Sequence, residues 1–269
     1  APPTAKFVRL VGSVVASSLD RTFSGNASTV LTTAEPDTQP VRVGSAQLSA
    51  DSPATGFAIF SFLPTQQEAS VPLADGGDDR FTLPFDNMNG LALGVSLANL
   101  TTRPENIAVV IRADGGTQIE TASVSLAGNG HSSFVLAEQF PITAGRRGVI
   151  EFSPAVGARV NALGIRYTPP GTLTTIPVLT NSSTGSGIIP HLAVANGWKT
   201  TFVLVNTGNS PSQAHLKFFD DAGNPLALPL SFPQTGEGAT DAATTLDRTV
   251  SAKSTLLVES TGPVSSPLL

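Results

Sequence analysis

The chain of 269 residues contains no cysteine and has few charged side chains. Without cysteine it has no disulfide, no thiolate metal site and no cysteine nucleophile. Charged residues make up 13% of the chain, where globular proteins usually carry roughly 25%. The net charge is −5, and lysine occurs only at 6, 199, 217 and 253. Nucleic-acid binding needs a clustered basic face, so we expect no nucleic-acid partner.

Long apolar runs and helical periodicity are also missing. No apolar run reaches the length of about 18 residues that a membrane helix needs, so we expect no membrane span. Short β-branched and aromatic runs with period-2 alternation lie between Gly, Pro, Asn and Asp. This pattern predicts an all-β fold of tandem β-sandwich modules rather than βαβ units. The predicted strands are 6–11, 14–23, 28–33, 42–49, 56–63, 68–73, 91–99, 106–113, 118–126, 132–137, 147–153, 160–167, 172–178, 199–206, 214–220, 225–231, 244–250 and 254–259.

The chain repeats parts of itself. Residues 90–116 return without a gap at 197–223, an offset of 107 that places Leu97 on Leu204 and Asn99 on Asn206. A second repeat places 56–73 on 161–178 at an offset of 105, and SLDRT at 18–22 returns as TLDRT at 245–249. Self-similarity at this period indicates modules of the size of an immunoglobulin-like sandwich.

The best linker signal is TNSSTGSG at 180–187, which predicts a module boundary there. We therefore divide the chain into modules at 1–80, 83–180 and 186–269. The middle module is expected to be complete. The first is expected to lack its leading strands, and the last to lack its trailing strands, which correspond to 42–73.

Several segments resemble uncharacterised immunoglobulin-like β-sandwich repeats of secreted or surface bacterial proteins. They include GLALGVSLANL, GHSSFVLAEQFP, RRGVIEF, ALGIRYTPPGTLTTIP, IIPHLAVANGWKTTFVLVNTG and HLKFFDDAGNPLALPLSF. The resemblance implies an extracellular or cell-surface location and an immunoglobulin-like architecture. It implies no catalytic residue.

Two acidic groups are candidate ligands for calcium, the only cofactor the sequence suggests. The first is formed by Asp75, Asp78, Asp79 and Asp86. Calcium takes several oxygen ligands from one shaped loop, and this group does not follow the EF-hand pattern. The second group, Asp220, Asp221 and Asn224, is more simply interpreted as a hairpin turn.

No pattern predicts catalysis. The three histidines, His131, His191 and His215, lie in different contexts without zinc-ligand spacing. No G-x-S-x-G elbow is present. We therefore expect a non-enzymatic protein without catalytic residues, the alternative being a triad or metal site assembled only in space.

The sequence suggests two kinds of contact with carbohydrate, attached N-linked glycans and sugar binding by aromatic side chains. Sequons for N-linked glycans occur at Asn181, Asn26 and Asn99, of which Asn181 lies in the predicted linker. Most phenylalanines fall within alternating strands, where core packing is the simpler interpretation. Trp198 and Tyr167 are the aromatic side chains to test for sugar binding.

Two functional hypotheses follow. In the first, the chain is a structural subunit of a surface filament, and copies of itself join head to tail by β-strand complementation at incomplete modules. In the second, it is an adhesion, glycan-binding or spacer module of a longer secreted protein. The hypotheses share a fold and a compartment and differ in assembly.

Overall fold

The structure of the protein is a computed structural model that describes residues 7–9, 18–22, 24–33, 40–74, 80–180, 185–236 and 242–261. Contacts divide it into two compact units, Ala1–Val43 and Gly44–Leu269. In the first unit, β1 (Phe7–Arg9) and β2 (Ser28–Val30) form a parallel pair. The described helical segments are single short turns, and none is a candidate to cross a membrane.

The second unit begins with an exposed hairpin of β3 (Phe57–Phe62) and β4 (Gln67–Pro72). The strand predicted at 42–49 is wrong, because these residues form no strand and every one of them is exposed. Their alternation of apolar and polar residues suits a strand, but no described strand forms a β-ladder with them.

Residues 80–180 form a β-sandwich around one core. The core contains fully buried Leu97, Ile107, Ile150 and Phe152, contributed by alternate positions of facing strands. One sheet has the order β13-β5-β10-β7-β8 and the other β12-β11-β6-β9. The strands are β5 (Phe81–Asp86), β6 (Ala92–Asn99), β7 (Glu105–Ala113), β8 (Gln118–Leu126), β9 (His131–Val135), β10 (Arg147–Ser153), β11 (Val160–Thr168), β12 (Thr172–Ile176) and β13 (Leu179–Thr180). A helical turn, α1 (Leu136–Gln139), follows β9, and a 3-10 turn (Pro141–Thr143) precedes β10.

The prediction of an all-β sandwich is confirmed, but the strand order differs from that of a constant-type immunoglobulin domain. There, the first strand pairs with the second and the last with the penultimate one. Here, the first strand, β5, pairs with β10, and β11 pairs with the second strand, β6. The hairpin of β11 and β12 therefore closes the side of β6 opposite β9.

Residues 185–236 and 242–261 form a second, smaller pair of sheets. Their orders are β14-β18-β16 and β15-β17. Phe202, Phe218, Leu230, Leu246 and Val258 pack between them. The strands are β14 (Lys199–Val205), β15 (Ser212–Lys217), β16 (Leu230–Ser231), β17 (Thr245–Val250) and β18 (Thr255–Thr261).

The two sandwiches contact each other through polar groups. The Thr255 N–H donates to the Asp114 carbonyl at 2.9 Å, and Gln234 Nε2 donates to Asp114 Oδ2 at 3.3 Å. Lys253 Nζ lies 3.8 Å from Glu151 Oε1, a carboxylate that also faces Arg112 at 3.5 Å. The turn after β7 is therefore fixed against the beginning of β18.

Candidate functional site

The repeat at an offset of 107 is visible in the hydrogen bonds of two matched asparagines. Asn99 Nδ2 donates to the carbonyls of Arg103 and Ala127, and its Oδ1 accepts from the Thr101 N–H. Asn206 Nδ2 donates to the carbonyls of Ser210 and Val250, and its Oδ1 accepts from the Gly208 N–H. Asn99 joins the loop after β6 to the turn before β9, and Asn206 joins the loop after β14 to the turn before β18. The repeated asparagines thus make the same set of hydrogen bonds in the two sandwiches.

This role bears on the predicted glycans. Asn99 is fully buried with both amide hydrogens bonded, so the folded sandwich does not offer this nitrogen to a glycan. Asn26 is exposed in a turn with a φ of 57°, so its glycosylation stays a prediction. Asn181 lies outside the described residues, so its glycosylation stays a prediction.

Replacing Asn99 by alanine is expected to lower the free energy of unfolding by about 1–3 kcal/mol. The substitution removes the partner of the Thr101 N–H, and one of the donors to each of the Arg103 and Ala127 carbonyls, at a part-buried place. Asn206→Ala is the matched control and should cost less, because Asn206 is only half-buried. Urea unfolding of both variants measures the difference, and equal losses would contradict the burial argument.

The structure describes one member of the first calcium candidate. Asp75, Asp78 and Asp79 lie outside the described residues. Asp86 Oδ2 accepts from Arg147 Nε at 2.9 Å, and its Oδ1 accepts from the Met88 N–H at 3.0 Å. Calcium binding by Asp86 would require this ion pair to break. Within the described ranges, no three His, Asp or Glu side chains converge as a metal site would require.

The second acidic group forms a turn between Phe219 and Pro225, which make an isolated bridge. Asp220 Oδ1 accepts from the N–H groups of Asn224 at 2.8 Å and Ala222 at 2.9 Å, and Oδ2 accepts from Asn224 Nδ2. These bonds, the one from the Asn224 N–H above all, lower the pKa of the exposed Asp220 carboxyl. The carboxylate closes the turn, as the hairpin interpretation expects.

The histidines lie apart from one another in contexts that suit sheets. His215 Nδ1 lies 2.5 Å from Asp247 Oδ1, an exposed pair between opposing residues of β15 and β17. His131 Nε2 lies 2.9 Å from Ser96 Oγ across β6 and β9. Both contacts link neighbouring strands. His191 lies in an exposed segment before β14.

The stability of the chain is expected to fall as the pH drops below the ordinary histidine value of about 6.5. Burial lowers the pKa of His131 in the folded chain. Between the ordinary value and this lowered one, the unfolded chain binds a proton that the folded chain does not, so unfolding is favoured. Urea midpoints on the two sides of this interval test the effect. His131→Gln should flatten the dependence, and an unchanged slope would contradict it.

Two sheet edges in the smaller sandwich are open within the described part of the chain. The Asn206 N–H donates to the Ser254 carbonyl, so Asn206, Leu204 and Phe202 direct their backbone groups toward β18. The alternate residues Thr201 and Val203 direct theirs to the other side of β14. No described strand pairs with that side, and none pairs with the side of β15 opposite β17. In the larger sandwich, β11 and β10 occupy the corresponding places beside β6 and β7.

The open edges leave the core of the smaller sandwich less covered. Leu97 of β6 is 0% exposed, whereas its repeat partner Leu204 in β14 is half-buried. Val109 of β7 is 1% exposed, whereas its partner Leu216 in β15 is half-buried. Positions matched by the repeat therefore differ in burial where the neighbouring strand differs.

The β3–β4 hairpin has exposed apolar side chains that no described core covers, whereas the smaller sandwich has a core that lacks a covering strand. Phe57 is 72% exposed, and Ile59, Phe62 and Leu63 are exposed as well. The hairpin is held at its β4 side, where Thr175 Oγ1 donates to the Ser70 carbonyl at 2.7 Å and Gln67 Nε2 donates to the Gly171 carbonyl. The Leu73 N–H donates to the Gly56 carbonyl, so Ala58 and the alternate residues beyond it face β4. Phe57, Ile59 and Ser61 face outward.

The structure corrects the alignment of this hairpin with that of β11 and β12. Four residues separate the closing pair Phe62 and Gln67, whereas three separate Thr168 and Thr172. β4 keeps the offset of 105, but β3 matches β11 at an offset of 106. Gly56 and Ala58 then match Ala162 and Gly164, and Ile59 matches Ile165. One extra loop residue, invisible to a gapless comparison, accounts for the shift.

The two aromatic side chains singled out for sugars are both at the surface. Trp198 is 56% exposed at the beginning of β14, and Tyr167 is 39% exposed in β11. A narrow crevice between the two sandwiches is lined by Leu93, Ile176, Val203 and Leu257 among others.

The comparisons with known proteins are sparse. No family model matches the chain, and no curated protein matches it. Among solved structures, the chain is similar to one described as the crystal structure of PBSX exported protein XepA. The identity is 9% and the TM-score 0.24, with 69% of this chain and 81% of that one covered.

Proposed function

We propose that the chain is a non-enzymatic structural subunit of an extracellular or cell-surface filament, whose copies join head to tail by β-strand complementation. The observation that carries the proposal is that Gly44–Leu269 contains both unpaired strand edges and an exposed apolar hairpin suited to pair with one of them. Among the residues that the structure describes, no strand covers the edges of the smaller sandwich beside β14 and β15. The N-terminal part of the same unit carries the exposed apolar hairpin of β3 and β4, which is related by repeat to the hairpin of β11 and β12 that fills the place beside β6 in the larger sandwich.

The physical reason for assembly is the cost of leaving both features in water. An open edge holds a row of backbone groups ready to pair with another chain. Strand addition satisfies these groups and covers apolar side chains in one step. Donor and acceptor are different surfaces of one chain, so each added copy offers a new edge, and a contact that does not close into a ring continues as a filament.

Sedimentation velocity over a wide concentration range tests the proposal. The expected result is a distribution of multiples of the 27.5 kDa chain that grows with concentration. A variant without the segment 40–73, which removes the β3–β4 hairpin and the exposed segment before it, should remain a folded monomer at every concentration. Full-length chains that stay monomeric throughout the range would overturn the proposal.

Glycan binding is the second candidate, favoured by the exposed indole of Trp198. An exposed aromatic face at a domain surface is suited to stacking on a sugar ring. A glycan array with the full chain and with Trp198→Ala tests it, Tyr167→Ala being the matched control. Signals that do not depend on either aromatic ring would speak against this function.

A further inference from the structure

We infer that β3 of one copy pairs antiparallel with β14 of the next copy, with Phe57 opposite Val203 and Ile59 opposite Thr201. This inference rests on the proposed head-to-tail assembly and names the strands, edge and register that form its contact. The second copy thus occupies the place that β11 takes beside β6 in the larger sandwich.

The register follows from the two repeats and from the ladder already formed within the chain. In the larger sandwich, Ile165 lies opposite Gly94, and Leu163 lies opposite Ser96. β14 matches β6 at an offset of 107, which carries Gly94 and Ser96 to Thr201 and Val203. β3 matches β11 at an offset of 106, which carries Ile165 and Leu163 to Ile59 and Phe57.

The backbone hydrogen bonds agree independently with this register. On β3, Phe57 and Ile59 point their N–H and C=O groups away from β4. On β14, Thr201 and Val203 point theirs away from β18. In this register, the outward N–H and C=O groups of β3 therefore lie opposite the outward N–H and C=O groups of β14. The uncorrected offset of 105 would place Ala58 opposite Val203, and Ala58 already uses its backbone groups on β4.

The side chains that would enter the smaller core also fit. In the larger sandwich, the core-facing residues of β11 are small at Ala162 and Gly164, and a Cβ built on Gly164 would lie 3.1 Å from Leu83 Cδ2. Their counterparts in β3, Gly56 and Ala58, are small as well.

The added β3 strand would cover residues of the smaller sandwich that are only partly buried in the single chain. In this register Gly56 lies opposite Leu204 and Ala58 opposite Phe202, so the added strand covers the half-buried leucine. Phe57 and Ile59 lie on the same face as Val203, which is 39% exposed and lines the crevice toward the larger sandwich. The partner is thus identified as a second copy of this chain by the match of pattern, edge polarity and side-chain volume.

The absence of cysteine allows a direct test with two variants that each carry one. Phe57→Cys and Val203→Cys are made separately, mixed under assembly conditions, and oxidised. Opposing residues of an antiparallel pair have a Cα separation of about 5.5 Å or less, which a disulfide spans. Both positions are exposed in the single chain, so neither substitution disturbs a core. We expect at least roughly tenfold more covalent dimer than from the control mixture of Ala58→Cys with Val203→Cys.

Each result separates the inference from the function on which it rests. A dimer from the first mixture alone supports the pairing and its register. A dimer from the control mixture alone overturns the register. Filaments without any dimer would mean that another segment occupies the edge of β14, which overturns the inference and leaves the proposed function standing. Mixtures that neither associate nor crosslink overturn both.

Discussion

The variant Ile59→Pro is expected to remain folded and to lose assembly. The Ile59 N–H faces away from β4, so a proline there removes no bond of the hairpin. It does remove a donor that the inferred ladder with β14 requires. A missing partner for a buried backbone group costs about 1–3 kcal/mol, which raises the concentration needed for assembly by roughly ten- to 100-fold. Sedimentation velocity and far-ultraviolet circular dichroism measure assembly and folding on the same samples.

Ile59→Thr is the matched control for this variant. Threonine keeps the N–H and the β-branched shape, and the side chain is exposed in the single chain. Assembly should therefore change by only a few-fold. Equal loss of assembly in both variants would show that the side chain, not the backbone donor, makes the contact. Normal assembly of Ile59→Pro would contradict pairing through this edge.

The second large effect concerns the matched leucines Leu97 and Leu204. Leu97→Ala is expected to lower the free energy of unfolding of the larger sandwich by about 2–5 kcal/mol, because it empties space at a fully buried position. Leu204→Ala should cost less in the dilute monomer, where Leu204 is half-buried. Under assembly conditions the cost at Leu204 should approach that at Leu97, because the added strand covers it.

The single tryptophan and single tyrosine let the two sandwiches be followed separately. Trp198 lies in the smaller sandwich and Tyr167 in the larger one. Urea unfolding is followed by the emission of each residue, below and above the assembly threshold. It gives the loss in free energy of unfolding for Leu97→Ala and for Leu204→Ala under each condition. A Leu204→Ala cost that does not rise with assembly would contradict the covering of this core by a second copy.

The periodic signals in the sequence predicted the repeats and most strands, because alternation and turn residues report local structure. β5 escaped prediction, since Pro84 interrupts its pattern. The structure explains how it is tolerated: β13 pairs with β5 only at Phe81 and Thr82, so the missing N–H of Pro84 faces no partner on that side. Segment 42–49 was predicted as a strand but forms none. Its pattern suits a strand, but a strand also needs a neighbouring strand to pair with, and the pattern does not provide one.

The candidate site was only partly visible from the sequence. Repeat matching related 56–73 to trailing strands that the last module lacks, but the face and register of the pairing depended on one extra loop residue and on hydrogen-bond alternation. Asn99 carried a sequon, yet its amide is committed to two carbonyls from distant positions. Asp86 belonged to an acidic cluster, yet it pairs with Arg147, 61 residues away. Such partners are set by tertiary packing, which local patterns do not encode.

Head-to-tail assembly is tested most directly by negative-stain electron microscopy of the purified chain at low and at high concentration. Assembly by strand complementation predicts single particles at low concentration and unbranched filaments with a regular axial repeat at high concentration. Uniform single particles at both concentrations would contradict it, and the exposed hairpin would then require a different partner.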